Sequence, residues 1–117
     1  MQPRVLVLED DPEIGDLLFA TLTAAGYNAE LVATALDARR RIEASSYSLL
    51  IADWRLPGGD GLVVANRAAD LGIKTIVISG YLFEITAADT RHEYLLKPFM
   101  PDELIRVVDH QIRKPVK

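Results

Sequence analysis

Glu9, Asp10 and Asp11 follow the apolar run 5–8, Asp53 follows 49–52, Ser79 follows 75–78 and Lys97 follows 94–96. Acids, a hydroxyl and an ammonium, each placed directly after apolar residues, are the ingredients of phosphoryl chemistry. Carboxylates gathered in one place repel, and neutralising them by protonation alone demands large upward pKa shifts, so a hard cation with oxygen ligands is the better answer. Mg2+ is the natural candidate, because it keeps several waters and binds through one or two carboxylates plus a phosphoryl group, leaving a carboxylate free as nucleophile. Asp53 is the best candidate for that nucleophile. In phosphoryl transfer a protein mainly positions groups and neutralises charge on the equatorial oxygens. Mg2+, the Lys97 ammonium and the Ser79 hydroxyl each suit one oxygen.

The elements that must position these groups follow from hydrophobic periodicity. Residues 5–8 are continuously apolar, as in a strand buried on both faces of a parallel sheet. Asp11-Pro12 reads as N-cap and first helical residue; Ile14, Leu17, Leu18, Thr21, Leu22 and Ala25 share one helical face, and Gly26 stops the helix. The alternation then repeats. Residues 29–32 read as a strand, Thr34 with Asp37 resembles a capping box for a helix toward Ala44, and 49–52 is a buried strand ending at Asp53. A Gly-rich loop, 56–61, leads to a helix with Leu62, Ala65, Ala68 and Ala69 inward, closed by Gly72, and 75–78 is the next strand. Between Ser79 and Tyr94 the signal weakens: Phe83, Ile85, Ala87 and Ala88 support one or two helical turns at most. Residues 94–96 read as a last strand, Lys97-Pro98 as a turn, and 101–113 as a helix with Leu104, Ile105, Val108 and Ile112 inward. This alternation predicts an α/β fold with a doubly wound, five-stranded parallel sheet and right-handed crossovers. Such folds bind ligands beyond the carboxyl ends of the strands, where the strand order reverses, and the polar residues above all fall at those ends.

Composition narrows the function. A chain of 117 residues, 50% hydrophobic, fits one domain with its own core, so 1–117 is expected as a single unit with 114–117 as a tail. A net charge of −4 offers no general attraction to phosphate backbones, and Arg39, Arg40 and Arg41 read as a solvated helix face, so direct nucleic-acid contact is not expected. The absence of cysteine rules out disulfides and thiolate metal sites and suits a reducing compartment, with cytoplasm as the default. The N-terminal residues are too short and acidic a stretch for a secretory signal, and no apolar run reaches bilayer-spanning length, so no membrane partner is expected. His92 and His110 have no partner at metal-ligand spacing and read as surface residues, and Trp54 reads as packing. The loop Gly58-Gly59-Asp60-Gly61 lacks the lysine and hydroxyl of a phosphate-binding loop and reads as turn geometry.

The segments Val5-Leu6-Val7-Leu8-Glu9-Asp10-Asp11, Asp53-Trp54-Arg55-Leu56-Pro57-Gly58-Gly59-Asp60-Gly61, Ile78-Ser79-Gly80 and Tyr94-Leu95-Leu96-Lys97-Pro98-Phe99, in this order, resemble the receiver domains of two-component response regulators. The resemblance covers nearly the whole chain and implies a flavodoxin-like strand order, 2-1-3-4-5. It also implies that Asp10 and Asp11 are the acidic pair that holds Mg2+, that Asp53 is phosphoacceptor and third ligand, and that Arg55 supplies a backbone carbonyl. Ser79 and Lys97 fall on the family's hydroxyl and lysine positions, Tyr94 on its switch aromatic, and a cis Lys97-Pro98 bond is expected. The implied activity is not enzymatic turnover. Asp53 takes a phosphoryl group from a histidine kinase or phosphotransfer protein, Ser79 moves to the new oxygens, Tyr94 turns into the vacated space, and a downstream target protein reads the surface of helix four, strand five and helix five.

Three features depart from the family pattern. The interval from Ser79 to Lys97 is a few residues short, which predicts a short or degenerate helix four and puts the usual output surface in question. Serine replaces the commoner threonine at position 79. Arg55, two residues after the acceptor, should lean over the mouth of the site, and with Tyr81 it is expected to set the lifetime of the phosphorylated form. Two other functions compete: a degenerate receiver that binds proteins independently of phosphate, and a haloacid-dehalogenase-type phosphatase. The phosphatase needs an acid where Arg55 stands, and intact Asp53, Ser79 and Lys97 argue against degeneracy.

Overall fold

A computed structural model of the chain describes residues 2–56, 59–81 and 90–115. The elements run β1 (Arg4–Leu8), α1 (Pro12–Ala24), β2 (Asn28–Val32), α2 (Ala35–Ala44), β3 (Leu49–Asp53), α3 (Gly61–Asp70), β4 (Lys74–Ser79), β5 (Glu93–Leu96) and α4 (Pro101–Arg113). A two-residue antiparallel ribbon, Arg55–Leu56 against Gly59–Asp60, joins β3 to α3. The strands form one parallel sheet in the order β2-β1-β3-β4-β5, so the winding reverses between β1 and β3. The doubly wound expectation holds. The short helix expected between β4 and β5 falls largely on residues 82–89, outside the described residues.

The continuous apolar runs become strands because helices cover both faces of the sheet. Val5, Val7, Leu49, Ile51, Ile76 and Ile78 face α1 and α4, meeting Leu18, Leu22, Leu104 and Val108. Their neighbours Leu6, Leu8, Leu50, Ala52 and Val77 face α2 and α3, meeting Ala38, Ile42, Val64, Ala65 and Ala68. Each large side chain buried this way stabilises the fold by about 1.5–3 kcal/mol. β3 is buried along its whole length, which carries Asp53 into the interior at its end.

Caps hold the helix starts, two of them, Asp11 and Thr34, as expected. Asp11 accepts from the amides of Glu13 and Ile14, Thr34 from that of Asp37, and Asp60 from that of Leu62. At α4, Pro101 is the first residue, and the Glu103 carboxylate accepts the Met100 amide at 3.2 Å. The inner face of α1 is narrower than its periodicity implies: Leu17 is exposed, while Gly15 is buried where an added Cβ would meet the Leu31 side chain at 3.0 Å. The Glu30 carboxylate accepts from Arg4, Arg41 and Tyr47, so Arg41, exposed like the rest of the arginine run, is also ion-paired at the surface. Among the described residues no helix is long and apolar enough to cross a membrane.

Candidate functional site

The site lies at the carboxyl ends of β1, β3, β4 and β5, beside the reversal in strand order. Adjacent strand ends bring residues 44 positions apart within bonding distance: the Lys97 ammonium donates to Asp53 Oδ2 at 3.0 Å. Lys97 also lies 3.9 Å from Glu9 Oε1. Its backbone amide bonds the Ser79 carbonyl at 2.8 Å, which locks the β5 exit to the end of β4, and the Lys97-Pro98 bond is cis.

Glu9, Asp10 and Asp53 each offer an oxygen within 4.8 Å of the others. This corrects the sequence reading in one respect. Asp11 Oδ1 caps the α1 N-terminus, at 2.9 Å from the Glu13 amide and 3.4 Å from that of Ile14, and Asp11 is not in the acidic group. Glu9 stands there in its place. The register of the strand end decides this: Glu9 is the first residue beyond β1 and is only 3% exposed, whereas Asp11 lies outside the sheet on the helix cap. The sequence signal for its place was Asp11-Pro12 itself, which marks Asp11 as the helix cap.

Glu9 is an unusual group. Its Oε2 accepts the Asp11 amide at 3.1 Å, but its Oε1 is buried without a hydrogen-bond partner. Burial pushes its pKa up to about 7, the Asp11 amide opposes the rise, the negative charge of Asp53 adds to it, and the Lys97 ammonium restrains it. A hard cation fits this donor set: three carboxylates with one orphaned buried oxygen are what a divalent ion satisfies.

A testable consequence concerns pH. The folded Glu9 holds its proton up to about pH 7, well above the ordinary glutamate value, so the folded state binds more protons than the unfolded state in between. Stability from this group is therefore full below the ordinary value of 4.5 and is lost progressively as pH rises to about 7. Urea midpoints of the metal-free chain should fall between pH 5 and pH 8 by the equivalent of about 1–3 kcal/mol, and Mg2+ at pH 8 should restore most of the loss. Equal midpoints at both pH values would show that Glu9 is ionised throughout.

The remaining candidates are placed as follows. Ser79 is buried at the end of β4, and its hydroxyl exchanges two hydrogen bonds with the Tyr81 backbone, donating to the carbonyl at 3.1 Å and accepting from the amide at 3.0 Å. Arg55 lies in the ribbon, and its guanidinium covers the ring of the half-exposed Tyr81 at 5.2 Å. Tyr94 is partly buried, with its ring centroid 6.3 Å from that of Trp54. His110 is exposed as expected, but His92 is not a surface residue: it is 5% exposed and bonded at both ring nitrogens. Its partners Asn66 and Thr75 lie 26 and 17 residues away, so sequence spacing carried no sign of them.

This arrangement defines a class: a doubly wound α/β domain with an acidic, cation-accepting cleft and an invading lysine. The comparisons with known proteins agree. The sequence profile of the response regulator receiver domain matches residues 5–109, and the chain belongs to that family, the phosphoacceptor modules of two-component signalling. It is 33% identical over 108 residues to the swarming motility regulation protein RssB of Serratia marcescens, covering 87% of this chain and 49% of that protein. It is 35% identical over 117 residues to the transcriptional regulatory protein KdpE of Staphylococcus aureus, covering 93% and 51%. The chain thus spans about half the length of these curated relatives. Among solved structures, the response regulator TrrA of Thermotoga maritima, in complex with Mg2+ and BeF, superposes with a TM-score of 0.84 at 30% identity, covering 95% of this chain and 99% of that one. The receiver domain of a sensor histidine kinase from Pseudomonas aeruginosa PAO1, with a magnesium ion in its active-site cleft, gives 0.85 at 26% identity, covering 97% and 100%.

Proposed function

We propose that the chain works as one receiver unit whose Asp53 takes a phosphoryl group from the phosphohistidine of a histidine kinase or phosphotransfer protein. The observation that carries this reading is the Lys97–Asp53 pair, 3.0 Å apart beside the carboxylates of Glu9 and Asp10. An unprotonated Asp53 oxygen attacks phosphorus, the phosphorus–nitrogen bond to the donor imidazole breaks, and the imidazole keeps the electron pair and takes a proton. Lys97 neutralises charge on a transferring oxygen. Ser79 then exchanges its bonds to the Tyr81 backbone for one to the new phosphoryl oxygens, and Tyr94 follows. Mg2+ would be held by Asp10 and Asp53, by Glu9 directly or through water, and by the Arg55 carbonyl; bound there, it offsets the charge of the carboxylates and the incoming phosphoryl group. A downstream protein reads the altered surface, and cytoplasm is the compartment in which such a donor would be met.

The test is calorimetric titration with beryllofluoride, a phosphoryl mimic. Binding that requires Mg2+ supports the reading, and no binding at saturating Mg2+ would leave a phosphate-independent interaction module as the better description.

Arg55, two residues after Asp53, stacks on Tyr81, two residues after Ser79, so the pair adjoins both phosphate-handling segments. Arg55→Ala and Tyr81→Ala should each change the decay rate of the phosphorylated chain by about threefold to tenfold, the scale of one cation–π contact in free energy. Decay is read as loss of radiolabel from the isolated phosphoprotein, and unchanged half-lives in both variants would remove the stack from the mechanism.

A further inference from the structure

A buried polar thread crosses the sheet toward the amino ends of β4 and β5, at the other end of these strands from the site, and uses none of the groups that handle phosphate. Gln111 on α4 donates to the Thr75 carbonyl at 3.0 Å. The Thr75 hydroxyl meets His92 Nδ1 at 2.5 Å, and His92 Nε2 meets Asn66 Oδ1 on α3 at 2.6 Å. Gln111, Thr75 and His92 are all buried. With both ring nitrogens bonded, the imidazole has one orientation and little freedom to leave it. Two residues along the chain, on β5, the Tyr94 ring packs edge to face against His92, at 6.1 Å between centroids and 79° between planes. On its other side Tyr94 meets Trp54, the residue after the acceptor. The Ser79 hydroxyl is meanwhile bonded to the Tyr81 backbone, the bonds that the proposed switching would exchange for phosphoryl contacts.

We propose that His92, clamped between Thr75 and Asn66, is a positioning residue that holds Tyr94 against Trp54 in the unswitched state and so sets how readily phosphorylation flips the domain. This rests on the reading of Asp53 as acceptor and Tyr94 as switch. A contact present in only one of two states stabilises that state, and removing it shifts the population toward the other. Loosening the clamp therefore makes switching easier, and a ligand that selects the switched state binds more tightly. The thread also couples α3 and α4, on opposite faces of the sheet, to the same ring.

The experiment measures beryllofluoride affinity at saturating Mg2+ by calorimetry, with thermal midpoints, for wild type, Asp53→Asn, Asn66→Ala and His92→Gln. Asn66 is only partly buried, so its removal loosens the imidazole at little risk to folding. Gln at position 92 can still bond Thr75 and Asn66 but offers Tyr94 no aromatic edge. Both variants should bind beryllofluoride about fivefold or more tightly than wild type, the low end of allosteric couplings, with the thermal midpoint of His92→Gln closest to wild type. Lower thermal midpoints with unchanged or weakened affinity would make the thread purely structural and overturn the proposal. Wild type that fails to bind, or Asp53→Asn that binds equally well, would overturn the acceptor reading and the clamp with it; binding lost only in Asp53→Asn keeps that reading whatever the clamp variants show.

Discussion

Asp53→Asn should yield a folded chain that takes up no phosphate from acetyl phosphate, a loss of at least about a thousandfold, because an amide offers no anionic oxygen to attack phosphorus. The substitution is nearly isosteric, so the backbone environment at the end of β3 survives. It removes the Lys97 ion pair at 3.0 Å but also removes a negative charge that raises the pKa of Glu9. The two electrostatic effects oppose each other, and the variant's stability at pH 8 should lie within about 1 kcal/mol of wild type. Radiolabel incorporation with urea denaturation separates the outcomes. Incorporation within tenfold of wild type in a folded variant would transfer the acceptor role to another acid, with Asp10 first in line by geometry.

The second large effect belongs to a residue with no side chain. Gly61 opens α3, and a Cβ built there would lie 1.7 Å from the backbone carbonyl oxygen of Asp53, a contact no rotamer relieves because both partners are main chain. Its amide bonds the Trp54 carbonyl at 2.9 Å, so the glycine also ties the helix start to the residue after the acceptor. Gly61→Ala should cost about 1–3 kcal/mol by overpacking. It should also push Asp53 away from Lys97, lowering beryllofluoride affinity by more than tenfold. Gly80→Ala is the control for stability, since a Cβ there meets nothing within 4 Å, and it should change stability by less than about 1 kcal/mol. Equal urea midpoints for the two variants would mean that the β3–α3 junction yields without cost.

Several features were legible before any coordinates because they depend on local rules. The runs that became β1, β3 and β4 were apolar without alternation, which only a doubly covered parallel sheet explains. Asp11-Pro12, Thr34 and Pro101 marked helix starts to the residue because the preferences of the first turn are short-range. Leu17 was misjudged because the periodicity of one helix does not say how wide a stripe its neighbours cover.

The chain alone determined the parallel α/β sheet and the placing of Asp53, Ser79 and Lys97 at strand ends, and with these the expectation of phosphoryl chemistry. These follow from hydrophobic runs and from which polar residue ends each run, both properties of contiguous sequence. Tertiary structure alone decided which acids share the cleft, replacing Asp11 by Glu9, because the choice depends on where the strand ends and which acid caps the helix. It also turned His92 from an expected surface residue into a buried link between Thr75, Asn66 and Tyr94. Hydrogen bonds between residues 17 and 26 positions apart leave no periodic trace, and only the packing of α3 over β4 and β5 brings them together.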